Sequence, residues 1–104
     1  MQIRELSLKE LYEAYALVKR LREMSYDEFE DLVYEMRDSY KMIGIFEQDE
    51  LVALSGVMVL VNLKYKRHLR VFEFIAEGSY KKELELYMED FAKMAGCVGV
   101  VYDG

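Results

Sequence analysis

The sequence predicts a mixed α/β fold, and three observations carry the prediction. Apolar residues recur at helical spacing in three stretches, each opened by a serine suited to a helix cap. Five shorter stretches rich in β-branched and aromatic residues read as strands. Their order is β-α-α-β-β-β-α-β, so strands two to four join through hairpins and run antiparallel. The third helix crosses over between strands four and five, which makes that pair parallel.

Each element follows from its own residues. Met1 to Leu6 alternates as a short first strand, and Ser7 then offers its hydroxyl to an unpaired backbone N–H. Leu8, Leu11, Tyr12, Tyr15, Val18 and Leu21 form the apolar stripe of a helix that stops near Arg22 to Met24. Ser25 with Glu28 is a capping-box pattern for a second helix, whose apolar face is Phe29, Leu32, Val33 and Met36. Lys41 to Phe46 is the second strand, turned by Gln48-Asp49-Glu50 into a third, Leu51 to Val61. That strand is apolar on both faces and therefore central, and Gly56 marks a bulge in it. Asn62 to Arg67 is a polar connection to the fourth strand, His68 to Ile75. Ser79 caps the third helix, which buries Leu84, Tyr87, Met88, Phe91 and Ala95. Gly96 suits the left-handed residue past a helix end, and Val98 to Tyr102 is the fifth strand.

Composition narrows the function classes. A chain of 104 residues holds one core, and 53% hydrophobic residues suffice to pack it. The net charge of −6 argues against broad nucleic-acid or anionic-membrane binding. The longest apolar run, Leu51 to Val61, is too short to cross a bilayer as a helix. No signal peptide is legible at Met1, and the single cysteine, Cys97, leaves no internal disulfide; the expectation is a soluble, cytoplasmic protein.

Several stretches together resemble one family. "MQIRELS" with the following "LVKRL", the run "IGIFEQDELVALSGVMVL", the strand "RHLRVFEFI" and the helix "LELYMEDFAKMAGC" are similar, in this order, to the GNAT acyl-CoA-dependent N-acetyltransferases. The resemblance spans nearly the whole chain and implies a single GNAT-like domain over residues 1–104. It implies acetyl-CoA as acyl donor and an amine-bearing acceptor. It also implies two departures. The family's Arg/Gln-x-x-Gly-x-Gly/Ala loop holds the coenzyme's pyrophosphate on backbone N–H groups; the corresponding segment here, Ala76-Glu77-Gly78-Ser79-Tyr80-Lys81-Lys82, has one glycine and a carboxylate. The sequence given stops at Gly104, where the family continues into a further helix and hairpin, so the tyrosine proposed there as general acid has no counterpart. The expectation is weak or absent acetyl-CoA binding.

Candidate residues have a functional and a structural reading each. Strict alternation puts Glu73 in phase with Leu69, Val71 and Ile75. Apolar neighbours would raise the pKa of that carboxylate, as a general base needs, and the resemblance implies this role; the alternative is a carboxylate paired with a nearby Lys or Arg. Ser79, Tyr80 and Lys81 open the third helix, with Lys82 beside them, and either receive a phosphate or form an ordinary cap with solvated lysines. The resemblance implies that the main chain around Phe74 and Ile75 holds the pantetheine arm. Lys64, Lys66, Arg67, His68 and Arg70 form a basic cluster, either engaging an acidic ligand or lying solvated at a hairpin. His68, the only histidine, excludes a His-based metal site. Cys97 reads as a buried small hydrophobe, and Tyr12, Tyr15 and Tyr40 are candidates to border an acceptor crevice.

Two functions follow as expectations. One is a minimal N-acetyltransferase with Glu73 as base. The other is a non-catalytic interaction module that dimerises or binds a partner through an exposed strand-five edge of Val98, Val100, Val101 and Tyr102.

Overall fold

The computed structural model describes residues 1–103. Strands β1 (Gln2–Glu5), β2 (Tyr40–Glu47), β3 (Glu50–Asn62), β4 (Lys66–Ile75) and β5 (Val100–Tyr102) form one sheet in the order β1-β2-β3-β4-β5. Helices α1 (Leu11–Val18) and α2 (Tyr26–Glu35) cover one face, and α3 (Ser79–Met94) covers the other. The first four strands pair antiparallel and β4 pairs β5 in parallel, as the element order predicts.

Two apolar layers hold the sheet between the helices. Leu11, Ala14, Val18, Phe29 and Val33 pack with Met42, Phe46 and Leu54 on the α1/α2 face. Leu84, Met88 and Ala92 of α3 pack with Ile43, Ile45, Val57, Leu69 and Val71 on the other. Alternation along β2 supplies both layers, since successive side chains leave a strand on opposite sides. Three residues of the predicted α1 stripe stay outside: Leu8 is exposed in a short turn ahead of the helix, Tyr12 is 73% exposed, and Leu21 lies past the helix end, where it is also exposed.

The turns obey local rules. Gln48 and Asp49 both take positive φ, which gives a two-residue hairpin matched to strand twist. Ser25 caps α2, its hydroxyl accepting from the Glu28 amide at 3.2 Å. Gly96 takes φ +74 just past α3, as expected. Ser79 does not cap α3: Gly78, at φ +57, holds the cap position and Ser79 is the first helical residue.

The register between β3 and β4 slips by one residue. Gly56 pairs with Glu73, but Val57 pairs with Val71, so Phe72 is the extra residue of a β-bulge. The bulge expected at Gly56 therefore lies opposite it, in β4. Its effect is to invert the strand's phase. Leu69 and Val71 face α3, whereas Phe72, Glu73 and Ile75 face α1 and α2. Glu73 thus does not share a face with Leu69 and Val71, as strict alternation expects.

The basic cluster disperses as well. His68 is buried at 1% exposure; its Nδ1 faces the Lys66 carbonyl at 3.0 Å, an oxygen that only accepts, so Nδ1 carries the proton. Arg67 Nε donates to the Ala95 carbonyl at the end of α3, and Arg70 lies over the Tyr65 ring and near Asp103. Lys64 and Lys66 remain at the exposed turn. Cys97 is half-buried against the α3-side core rather than fully enclosed. No helix among the described residues is long and apolar enough to cross a membrane.

Candidate functional site

The bulge and the end of β5 fall at the same level of β4. Pairing runs Leu69 to Val100, Arg70 to Val101 and Val71 to Tyr102, and the Asp103 amide donates to the Val71 carbonyl at 2.8 Å. Beyond Val71 the β5 side of β4 has no strand partner among the described residues. Glu73 stands just past this point, on the α1/α2 face.

Three polar side chains meet there. Glu73 Oε2 accepts from Arg22 Nε at 3.1 Å and from Arg22 Nη2 at 2.9 Å. Arg22 Nη2 also donates to the Phe72 carbonyl at 2.9 Å. Glu73 Oε1 accepts from the Tyr40 hydroxyl at 2.5 Å. The Ser55 hydroxyl donates to the Glu73 carbonyl and fixes the backbone behind the carboxylate. Glu73 is 12% exposed and Arg22 43%, so the carboxylate is enclosed while its cation reaches water. Burial, then the neighbouring Glu73 charge, pushes the Tyr40 phenol far above its ordinary pKa, which keeps it a proton donor.

Gly56 makes this arrangement possible. A Cβ at that position would fall 2.5 Å from Glu73 Oε1 and closer still to the Tyr40 hydroxyl. The glycine leaves the space in which the two side chains meet.

The cluster borders a cavity of about 280 Å³ between α1, α2 and the sheet. Its walls are apolar, with Val18, Met24, Phe29, Val33, Met58 and Phe72 prominent, and only Arg22, Tyr40 and Glu73 bring polar groups to it. Of the three tyrosines expected near a crevice, Tyr40 borders this one. Tyr15 donates to the Met24 carbonyl and packs on Tyr26 and Phe29, and Tyr12 lies on the surface. Arg22 escaped prediction. It sits in the connection between α1 and α2, 51 residues from its partner, and no local pattern marks such a pairing.

A second concavity of about 600 Å³ opens at the start of α3. Ser79 and Tyr80 line it, with Glu77, Glu50 and Arg20; exposed Lys81 does not. The Tyr80 and Lys81 amides donate to the Glu77 and Gly78 carbonyls in a tight first turn. The Tyr80 hydroxyl donates to Glu47. Phe74 and Ile75 point to opposite faces. Phe74 meets the Tyr102 ring edge-on at 5.6 Å, and Ile75 packs into the α1/α2-side core.

The sequence matches no family model and no curated protein. The structure does have relatives. A GNAT family acetyltransferase from Staphylococcus aureus superposes with a TM-score of 0.85 at 16% identity, over 99% of this chain and 85% of that one. This is the GNAT fold. It is shared by a ribosomal-protein-alanine N-acetyltransferase from Brucella melitensis, with a TM-score of 0.80 at 18% identity over 98% of this chain and 78% of that one. Glucosamine-6-phosphate N-acetyltransferase from Arabidopsis thaliana gives 0.76 at 19% identity over 99% and 81%. At such identities the likeness is one of fold. The last two names carry unlike acceptors, a protein alanine and a sugar phosphate, so the GNAT fold does not by itself specify one.

Proposed function

We propose that this chain is a GNAT-fold protein that keeps the acceptor half of an N-acetyltransferase site and has a degenerate donor half. The contrast between its two concavities carries the reading. The first cavity is apolar-walled and holds Glu73, a largely buried carboxylate of the kind that accepts a proton from an amine. Arg22 and Tyr40 position it, one on each oxygen.

The region toward acetyl-CoA fits that ligand poorly. A pyrophosphate would meet Glu50 and Glu77 with only Arg20 to offset them. Two of the first amides of α3 are already spent on its own turn, which weakens the anion site a helix start otherwise offers. The Phe74 and Tyr102 rings pack across the gap where a pantetheine arm would run beside the main chain of Phe74 and Ile75. Calorimetric titration of acetyl-CoA is expected to give little or no heat at high micromolar ligand. Saturable binding in the low micromolar range would overturn the degenerate half of the reading and restore Glu73 as the base of an active enzyme.

A second reading draws on β5. It is an outer strand of the sheet among the described residues and starts at Val100 rather than Val98; Tyr102 is exposed on it, and Val98 is exposed just before it. Such an edge is suited to pairing with the same edge of a second copy. A dimer in light scattering, lost on substituting Val100 with proline, is the expected result, since bonding of Gly99 and Asp103 to β4 leaves the Val100 amide on the free edge; a monomer at high concentration counts against it.

A further inference from the structure

We infer that the Glu73 cavity binds small primary amines carrying an apolar body, and that Arg22 occupies the amine position until such a ligand displaces it. The inference rests on the acceptor half of the reading above.

Consider what Arg22 Nη2 touches. One nitrogen donates both to a carboxylate oxygen and to the Phe72 carbonyl, each at 2.9 Å. A primary ammonium carries three N–H donors and can satisfy the same two acceptors from one atom. The two acceptors stand side by side at the bulge, since one nitrogen reaches both. The guanidinium therefore stands where an amine nitrogen would bind.

The charge and shape of the surroundings choose the ligand. Displaced Arg22 returns to water easily, because it is already 43% exposed and sits in the connection between two helices. Glu73, enclosed and without its cation, then requires another one, because an unpaired buried carboxylate is costly. A neutral or anionic head group does not meet that need. Beyond the head group the walls are methionine, phenylalanine and valine. A cavity of about 150 Å³ takes benzene, so the 280 Å³ here has room for a ring on a short alkyl chain. Met24, Met36 and Met58 let the walls adjust to aryl or alkyl bodies.

Phenethylamine is the probe, titrated by calorimetry into the full chain. Binding is expected, with ethylamine and phenethyl alcohol each weaker by about tenfold or more, since one lacks the body and the other the charge. Arg22→Gln should bind phenethylamine about tenfold tighter, and Glu73→Gln about tenfold or more weaker. Equal affinity for phenethyl alcohol and phenethylamine, or no binding by either wild type or Arg22→Gln, overturns the proposal. Should Glu73→Gln fail to fold, the wild-type Arg22 Nε–H resonance serves instead. It must shift toward a solvent-exposed arginine as amine is added, and an unmoved resonance at saturation is equally fatal. Acetyl-CoA is not part of this titration, so tight coenzyme binding would revise the donor half and leave the amine result standing.

Discussion

The two concavities differ in how their carboxylates are met. At the Glu73 cavity one carboxylate is enclosed, and every oxygen of it has a donor. At the start of α3 two carboxylates lie in an open cleft where an anion would need donors. The first is a built polar cluster in an apolar wall; the second is an ordinary wet surface at a helix end. On the reading proposed above, one half of a two-ligand site stays in good order while the other drifts, because most of each half sits on different elements. The cavity depends on α1, α2 and the bulge, and the cleft on the end of α1, the start of β3 and the residues that open α3.

The sharpest way to break this contrast is to fill the space that permits the cluster. Gly56→Ala drives a methyl group into Tyr40 and Glu73, and overpacking of this kind costs about 1–3 kcal/mol. Chemical denaturation should show that loss together with loss of phenethylamine binding. An unchanged midpoint would mean that Tyr40 and Glu73 separate at little cost. A smaller effect is expected at the cleft. Glu50→Gln with Glu77→Gln removes both carboxylates, and affinity for inorganic pyrophosphate should rise roughly two- to fivefold, the scale of a helix-terminus charge effect. No change would show that the tight turn of α3, rather than its charge, limits the site.

The smallest effect belongs to a surface pair that serves as a contrast to Arg22 and Glu73. Hydrogen bonds from Arg4 hold the Glu10 carboxyl at about 2, below its ordinary 4.5, against burial that pushes it up. A depressed carboxyl stabilises the fold above its unfolded pKa and loses that contribution as pH falls through the folded one. The denaturation midpoint should therefore fall between about pH 4.5 and pH 2 more steeply in wild type than in Glu10→Gln. Parallel profiles would show that the pair contributes nothing measurable, as many exposed pairs do.

Much of the fold was legible in the sequence because periodicity is a local property. The stripes of α2 and α3, the Gln48-Asp49 turn and the Gly96 helix end each follow from a few adjacent residues. The site was legible only in part. Glu73 stands out as a carboxylate in an apolar strand, but its face was misread, because parity counting assumes a ladder without extra residues. Arg22 and Glu73 meet through tertiary packing alone. His68 reads as part of a charged run from its neighbours, yet the sheet buries it at 1% exposure beneath Tyr65. Ser79 carries the chemistry of a cap, but the cap position needs positive φ here and falls to Gly78.

The extra residue at Phe72 gives β4 two reading frames. Odd-numbered residues up to Val71 look toward α3, and odd-numbered residues from Glu73 onward look toward α1 and α2. What decides which face of the sheet receives the carboxylate is therefore the number of residues in a strand, not only their kind. A compensating residue added to β3 would iron out the bulge and carry an unaltered Glu73 through the sheet to the opposite side. A site built in this way can be gained or lost by insertion and deletion while every functional side chain stays the same.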